Sequence, residues 1–276
     1  MVITKFHKPI VTVEWLHNNM HATNLIILDA SIPKAVDKSD TTVRFCIPGA
    51  RFFDLKHKFS DLSAQFPNTF PSLEQFEREA QKLGINNDSF IVVYDDKGIY
   101  SSPRAWWLFK AYGFSNIAVL DGGLPAWTEA YYPLAKKESN HNFNGNFKAQ
   151  LQDGFMMFFD DLKVISQSQN HHIVDARSEN RFNGLEPEPR EGLRSGHIPN
   201  SKNIPYTELL NGNKLKPTAA IENIFDAVLS EQKPITFSCG SGITACILAL
   251  GATLINYKDL SVYDGSWTEW GTLTDE

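Results

Sequence analysis

PITFSCGSGITACILAL, Pro234 to Leu250, reads as a strand, a tight loop and a helix. Ile235, Thr236 and Phe237 form a β-prone run, glycines bracket the residues after Cys239, and Ile243, Cys246, Ile247 and Leu250 recur at helical spacing. A buried strand passing straight into a helix is the building unit of α/β folds with parallel strands.

The loop is also where chemistry is expected. Thiolate, not thiol, is the nucleophilic form of cysteine, and a free thiol with a pKa near ~8.5 is mostly protonated at neutral pH. Gly240 and Gly242 reach positive φ without a Cβ clash, so the backbone can turn its N–H groups onto one anionic atom. The following helix adds the positive end of its dipole, and Ser241 and Thr244 offer hydroxyl donors. Free cysteines are usually buried apolar residues, but a core cysteine has no use for a loop of this composition. Cysteine phosphatases use a similar cradle followed by an arginine that grips the phosphate. Here the sixth residue after Cys239 is Ala245, so a phosphate would meet no fixed cation.

Cys-Gly-Ser-Gly-Ile-Thr-Ala at 239–245 resembles the active-site loop of the 3-mercaptopyruvate sulfurtransferases, relatives of the rhodaneses (thiosulfate sulfurtransferases). The resemblance implies that Cys239 takes a sulfur atom from a small-molecule donor as a persulfide. The outer sulfur then passes to cyanide, a small thiol or thioredoxin, without metal or organic cofactor. It also implies that Ser241 acts with Cys239 and that Gly240, Gly242, Ile243 and Thr244 line the substrate site. Rhodaneses proper usually carry cations directly after the cysteine, and this loop has none.

Around the loop, the chain has 276 residues, 42% hydrophobic, with a formal charge of -6. That length suits two ordinary domains, and the charge leaves no basic footprint for nucleic acid. No stretch approaches the ~20 apolar residues needed to span a bilayer. The first residues, MVITKFHKPIVTVEW, lack a signal-type apolar core, so a cytoplasmic location is expected. The three cysteines, Cys46, Cys239 and Cys246, suggest neither a disulfide framework nor a zinc site. Cys246 falls on the apolar stripe of its helix.

The two halves of the chain repeat. LIILDAS (25–31) matches HIVDARS (172–178), and Cys46 to Ala50 matches Gly196 to Asn200, each a turn feeding an extended segment. FIVVYDD (90–96) matches ITFSCG, and IAVLDGGLPAW (117–127) matches LSVYDGSWTEW (260–270), with offsets of about 145 residues throughout. Helical stretches fill the gaps: VTVEWLHNNM after Thr12, SLEQFEREAQKLG from Ser72 to Gly84, PRAWWLFKAYG, DDLKVISQ and TAAIENIFDAVL. The duplication predicts two tandem α/β domains, each a mainly parallel sheet with helices on both faces, and the resemblance implies that both are rhodanese-like. The ranges are 1–137 and 154–276, joined by an asparagine-rich linker at 138–153. Where the second half has Cys239 the first has Asp95 or Asp96, and aspartate cannot carry a persulfide. The first domain is therefore expected to be catalytically silent, as the family resemblance also implies.

A donor with a carboxylate needs a fixed cation, and arginine presents a planar fork that matches it. RFNGLEPEPREGLRSGHIP holds Arg181, Arg190 and Arg194, with Pro187 and Pro189 stiffening the approach to Arg190. The family carries a similar Arg-Phe and Glu-Pro-Glu-Pro-Arg that give two arginines to the substrate, and Arg181 and Arg190 match them. The alternative is a set of solvated loop charges paired with Glu186, Glu188 and Glu191. Arg177 and Arg194 are weaker candidates. His197, in Gly-His-Ile-Pro, is read as structural, and Asp121-Gly122 and Asp264-Gly265 as turn formers.

One departure stands out. An aspartate and histidine of the first domain, proposed in some family members to form a proton relay with the loop serine, correspond here to Lys56 and Asn68. With the relay lost, Ser241 is read as a hydrogen-bond donor, and His57 is a possible substitute. Two rival functions stay open: thiosulfate sulfurtransferase, and a binding module that keeps the fold without turnover.

Overall fold

The computed structural model describes residues 1–32, 45–137, 143–229 and 231–275. It divides into two compact units. The first comprises Met1–Asp61, Phe70–Gln152 and Gly212–Lys214, and the second Leu62–Thr69, Asp153–Asn211 and Leu215–Glu276.

In the first unit, β1 (Ile10–Val11), β2 (Leu25–Asp29), β3 (Arg51–Phe52), β4 (Phe90–Tyr94) and β5 (Ile117–Leu120) form one sheet in the order β1-β5-β4-β2-β3. In the second, β6 (Met156–Met157), β7 (His172–Asp175), β8 (Ser201–Asn203), β9 (Ile235–Ser238) and β10 (Leu260–Tyr263) form another, in the order β6-β10-β9-β7-β8. The two orders are the same, and every pairing within both sheets is parallel. The duplication read from sequence is therefore a duplication of topology.

Central β4 and β9 are buried along their whole length, which is why both appear in the sequence as unbroken apolar runs rather than alternating ones. Each ends at the loop of interest: Asp95 follows β4 and Cys239 follows β9.

Helices alternate with the strands. In the first unit they are α1 (Val13–Asn19), α2 (Leu73–Lys82), α3 (Ser102–Ala111) and α4 (Gly123–Glu129). In the second they are α5 (Phe159–Ile165), α6 (Glu179–Phe182), α7 (Thr218–Val228), α8 (Ala245–Leu254) and α9 (Ser266–Leu273). Thr12 caps α1, its hydroxyl accepting from Trp15 N–H, and Ser72 caps α2 by accepting from Gln75 N–H. The capping box at Ser72 is only half made. The Gln75 amide donates to the carbonyls of Lys58 and Ser60 instead of reaching back. Gly84 closes α2 in the left-handed region at φ 71°.

The linker expected at 138–153 behaves differently. Residues 138–142 lie outside the described residues, and 143–152 belong to the first unit. Phe143, Gly145 and Phe147 donate their N–H groups to carbonyls of Lys82, Gln81 and Ile85, and Asn146 exchanges hydrogen bonds with Asn86 and Asn87. The asparagines pair with backbone, as a well-bonded strap requires. Phe147 explains why the strap stays down. It is buried among Phe76, Phe109 and Phe114, in an aromatic core that no local polar pattern reveals.

Among the described residues, no helix is long and apolar enough to cross a membrane.

Candidate active site

Cys239 sits at the mouth of α8 and is 2% exposed. The loop around it is held from one side by the first turn of α9. Trp267 N–H donates to the Cys239 carbonyl at 2.9 Å, and Thr268 N–H donates to the Gly240 carbonyl at 3.1 Å. The Thr268 hydroxyl donates to the same Gly240 oxygen.

In a trans peptide the C=O and the next N–H point in opposite directions. Fixing these two carbonyls against α9 therefore turns the N–H groups of Gly240 and Ser241 away from it. Among the described residues nothing accepts from the N–H groups of Gly240, Ser241, Ile243 or Thr244. Backbone donors without an acceptor in the loop that carries a buried cysteine are a standing attraction for an anion. Gly242, at φ 75°, makes the turn that brings them together.

Arg181 and Arg190 converge on the same loop. A Cβ built on Gly240 would lie 3.2 Å from Arg181 Nη2 and 3.9 Å from Arg190 Nη1, so glycine is what lets both guanidinium groups close over the backbone. Arg190 Nη1 donates to the Thr268 hydroxyl at 2.9 Å, which ties it to the group that clamps Gly240.

Arg181 is held from behind by Glu188, to which it donates from Nε at 3.1 Å and from Nη2. The Glu188 side chain is fully buried and also accepts from Arg177 Nη1 at 2.8 Å. Arg177 in turn grips Asp175 with Nε and Nη2 and the Gly196 carbonyl with Nη2. Burial works against the Arg177 charge, but Asp175 and Glu188 more than offset it, and its pKa rises above the ordinary arginine value. Two carboxylates and two guanidiniums thus form a neutral cluster, with Arg181 at its open edge.

The weaker candidates are occupied elsewhere. Arg177 is buried in that cluster, and Arg194 donates to the Thr274 carbonyl and hydroxyl while lying over the Trp267 ring. His197 Nδ1–H donates to the Phe182 carbonyl at 2.9 Å and its ring stacks on the Phe182 ring, as a structural turn should. His57 pairs with Asp54 inside the first unit.

Comparison with known proteins identifies the family. The family model for the rhodanese-like domain matches residues 12–130 and 159–273. The chain belongs to the rhodanese-like family. Human 3-mercaptopyruvate sulfurtransferase is 38% identical over 274 residues, covering 95% of this chain and 92% of that protein. The mitochondrial thiosulfate/3-mercaptopyruvate sulfurtransferase 1 of Arabidopsis thaliana is 38% identical over 293 residues, covering 97% of this chain and 77% of that protein. SseA of Escherichia coli, solved as a 3-mercaptopyruvate sulfotransferase with the rhodanese fold, superposes with a TM-score of 0.84 at 32% identity. It covers 94% of this chain and 99% of that one. This rhodanese-like protein is a tandem-domain sulfurtransferase.

Three further residues of the loop's surroundings have roles that the sequence reading did not give them. Ser266 is fully buried at φ 51°, and its hydroxyl oxygen accepts from Cys239 N–H at 3.2 Å and Gly242 N–H at 2.9 Å. Its single proton lies between the Tyr263 carbonyl at 2.9 Å and Cys239 Sγ at 3.9 Å. The turn was expected at Asp264-Gly265, but Gly265 has φ -69°, and the left-handed residue is Ser266. The corresponding residue of the first unit, Gly123, has the same φ of 51° and no side chain. Asn68 is the second. Its amide donates to Ser241 Oγ at 3.0 Å, which leaves the Ser241 proton free to point away. Glu188 is the third, described above.

Proposed function

We propose that this protein is a 3-mercaptopyruvate sulfurtransferase working through a persulfide on Cys239. The observation that carries the reading is the convergence of Arg181 and Arg190 on the loop that holds Cys239, in which the N–H groups of Gly240, Ser241, Ile243 and Thr244 meet no acceptor among the described residues.

Arg181 and Arg190 bind the carboxylate and carbonyl oxygen of the donor. The Cys239 thiolate attacks the donor sulfur, the new S–S bond forms as the carbon–sulfur bond breaks, and pyruvate leaves as its enolate. The donor's thiol proton ends on the enolate carbon. Cyanide or a thiol then attacks the outer sulfur, and the S–S bond breaks to return the thiolate, so ping-pong kinetics follow. Ser241, whose oxygen already accepts from Asn68, keeps its own proton to donate to oxygen or sulfur in the loop. Gly240, Gly242, Ile243 and Thr244 supply backbone rather than side-chain chemistry. No step needs a metal or organic cofactor.

Rates of thiocyanate formation with 3-mercaptopyruvate and with thiosulfate test the donor. The expected result is a higher kcat/KM with 3-mercaptopyruvate, because the loop carries no cation of its own for a dianion; a preference for thiosulfate overturns the assignment. No turnover with either donor leaves the non-catalytic binding module. The acceptor is cyanide, a small thiol or thioredoxin. A cytoplasmic setting fits three free, buried cysteines.

Ser266 adds a further expectation. Ser266→Gly keeps the φ that glycine favours but removes the hydroxyl from the sulfur and from two buried N–H groups. A hydrogen bond to a charged group contributes about 1.5–3 kcal/mol. The sulfur-loading rate should fall by roughly tenfold to a hundredfold, with KM for the donor little changed because the arginines are untouched. Stopped-flow single-turnover kinetics read both.

The first unit is proposed to be silent, with Asp95 in the place of the nucleophile.

A further inference from the structure

The two loops match residue for residue. Asp95 and Cys239 each follow the central strand, Gly98 and Gly242 come three residues later at φ 98° and 75°, and Ile99 and Ile243 are both buried. The carbonyl of the leading residue is clamped alike. Leu124 N–H at the start of α4 donates to the Asp95 carbonyl at 3.0 Å, as Trp267 N–H does to Cys239. Asp95, rather than Asp96, is therefore the counterpart of the nucleophile.

Asp95 is fully buried, and its carboxylate is saturated with donors. Oδ2 accepts from the N–H groups of Tyr100, Ser101 and Ser102 at 2.9, 3.0 and 2.9 Å and from the Ser102 hydroxyl at 2.6 Å. Oδ1 accepts from Lys97 N–H at 2.9 Å. Four amides and one hydroxyl bond the carboxylate, and among the described residues no basic side chain donates to it. An isolated buried carboxylate is costly unless its surroundings are built for it.

The ordinary helix cap is bypassed as well. Ser101 precedes α3, but its hydroxyl donates to the Ala30 carbonyl, and its own N–H and that of Ser102, the first residue of α3, go to a side chain upstream of the cap. By register, the amides on Asp95 Oδ1 and Oδ2 include the counterparts of Ser241 and Thr244 N–H, two of the donors left open in the second unit. From Cα outward, Asp95 Oδ2 is also reached through the same number of bonds as the outer sulfur of a cysteine persulfide.

We propose that Asp95 is a tethered ligand: the first unit retains an anion cradle of the second unit's construction, filled by its own carboxylate in place of a free small carboxylate or a sulfur-borne anion. The comparison with an anion at Cys239 rests on the sulfurtransferase reading, whereas occupancy of the Asp95 cradle does not.

The test uses the full chain and reads unfolding, not turnover, so it succeeds or fails separately from the sulfur-transfer assay. Asp95→Ala vacates the cradle and should lower the thermal midpoint by roughly 5 °C or more. Sodium formate, the size of the missing carboxylate, should raise that midpoint in a saturable manner, more than it raises the wild type and more than sodium chloride at equal ionic strength. Formate acting equally on variant and wild type overturns the proposal. Asp95→Asn keeps the volume but sets an NH2 against the amides. It should unfold below the wild type and ignore formate, and wild-type stability in Asp95→Asn overturns the proposal even where Asp95→Ala does not fold.

Discussion

Cys239→Ser is expected to abolish sulfur transfer from either donor, by at least about 10⁴-fold in kcat, as removal of a covalent nucleophile does elsewhere. The substitution exchanges one atom at a site that is 2% exposed, so the fold has little reason to change. What changes is the chemistry. A serine hydroxyl stays protonated at neutral pH and cannot hold a second sulfur, while the amides and arginines around it remain in place. The variant should therefore still bind the donor and fail to take its sulfur, which intact-protein mass after donor exposure reads as absence of the one-sulfur gain. Cys46 and Cys246 serve as internal controls. Cys246 Sγ lies against the Gly242 carbonyl at 3.3 Å inside α8, and Cys46 lies against the Ala135 carbonyl in the first unit. A sulfur gain that persists in Cys239→Ser would place the carrier on one of these and remove the basis of the mechanism.

The nucleophile was readable because everything that defines it is local. Strand, glycine turn and helix lie within PITFSCGSGITACILAL, and the parallel sheet follows from apolar runs too continuous for an exposed face. Arg181 and Arg190 could be proposed from the family pattern, but their meeting at Gly240 could not be seen, since it depends on how a proline-stiffened loop packs against α8 and α9. Residues that act across long separations were missed. Ser266 reaches the loop from 27 positions away and Asn68 from 173, each with a side chain common in turns. Asn68 was counted as a lost relay, and in the structure it is a hydrogen-bond donor to the loop serine. Glu188 was misjudged for a different reason. Three glutamates in Glu-Pro-Glu-Pro-Arg-Glu look equally solvated, and only packing selects the one whose side chain is fully buried.

That glutamate is where stability and binding meet, and Glu188→Gln is expected to damage both. In the native cluster Oε1 accepts from Arg177 Nη1 at 2.8 Å and from Arg181 Nε at 3.1 Å, and Oε2 accepts from Arg181 Nη2. The amide keeps the volume but cancels the charge, and its NH2 must face guanidinium N–H groups that are themselves donors only. Arg177, 1% exposed, would then hold its charge against Asp175 alone. Breaking one arm of a buried ion cluster costs about 3 kcal/mol, because the remaining charge cannot recover its water. Arg181 is 21% exposed, so the loss on its side is screened, and its response is mobility rather than strain. A guanidinium that samples other rotamers no longer waits over Gly240, and the donor must order it on binding. Urea unfolding should therefore show the lower stability, while KM for 3-mercaptopyruvate rises by roughly tenfold and kcat changes less, since Cys239 and its amides are not touched. Equal stability with an unchanged KM would mean that Glu188 does not hold Arg181 in solution, and Arg190 with Thr268 would then be the only anchored cation of the site.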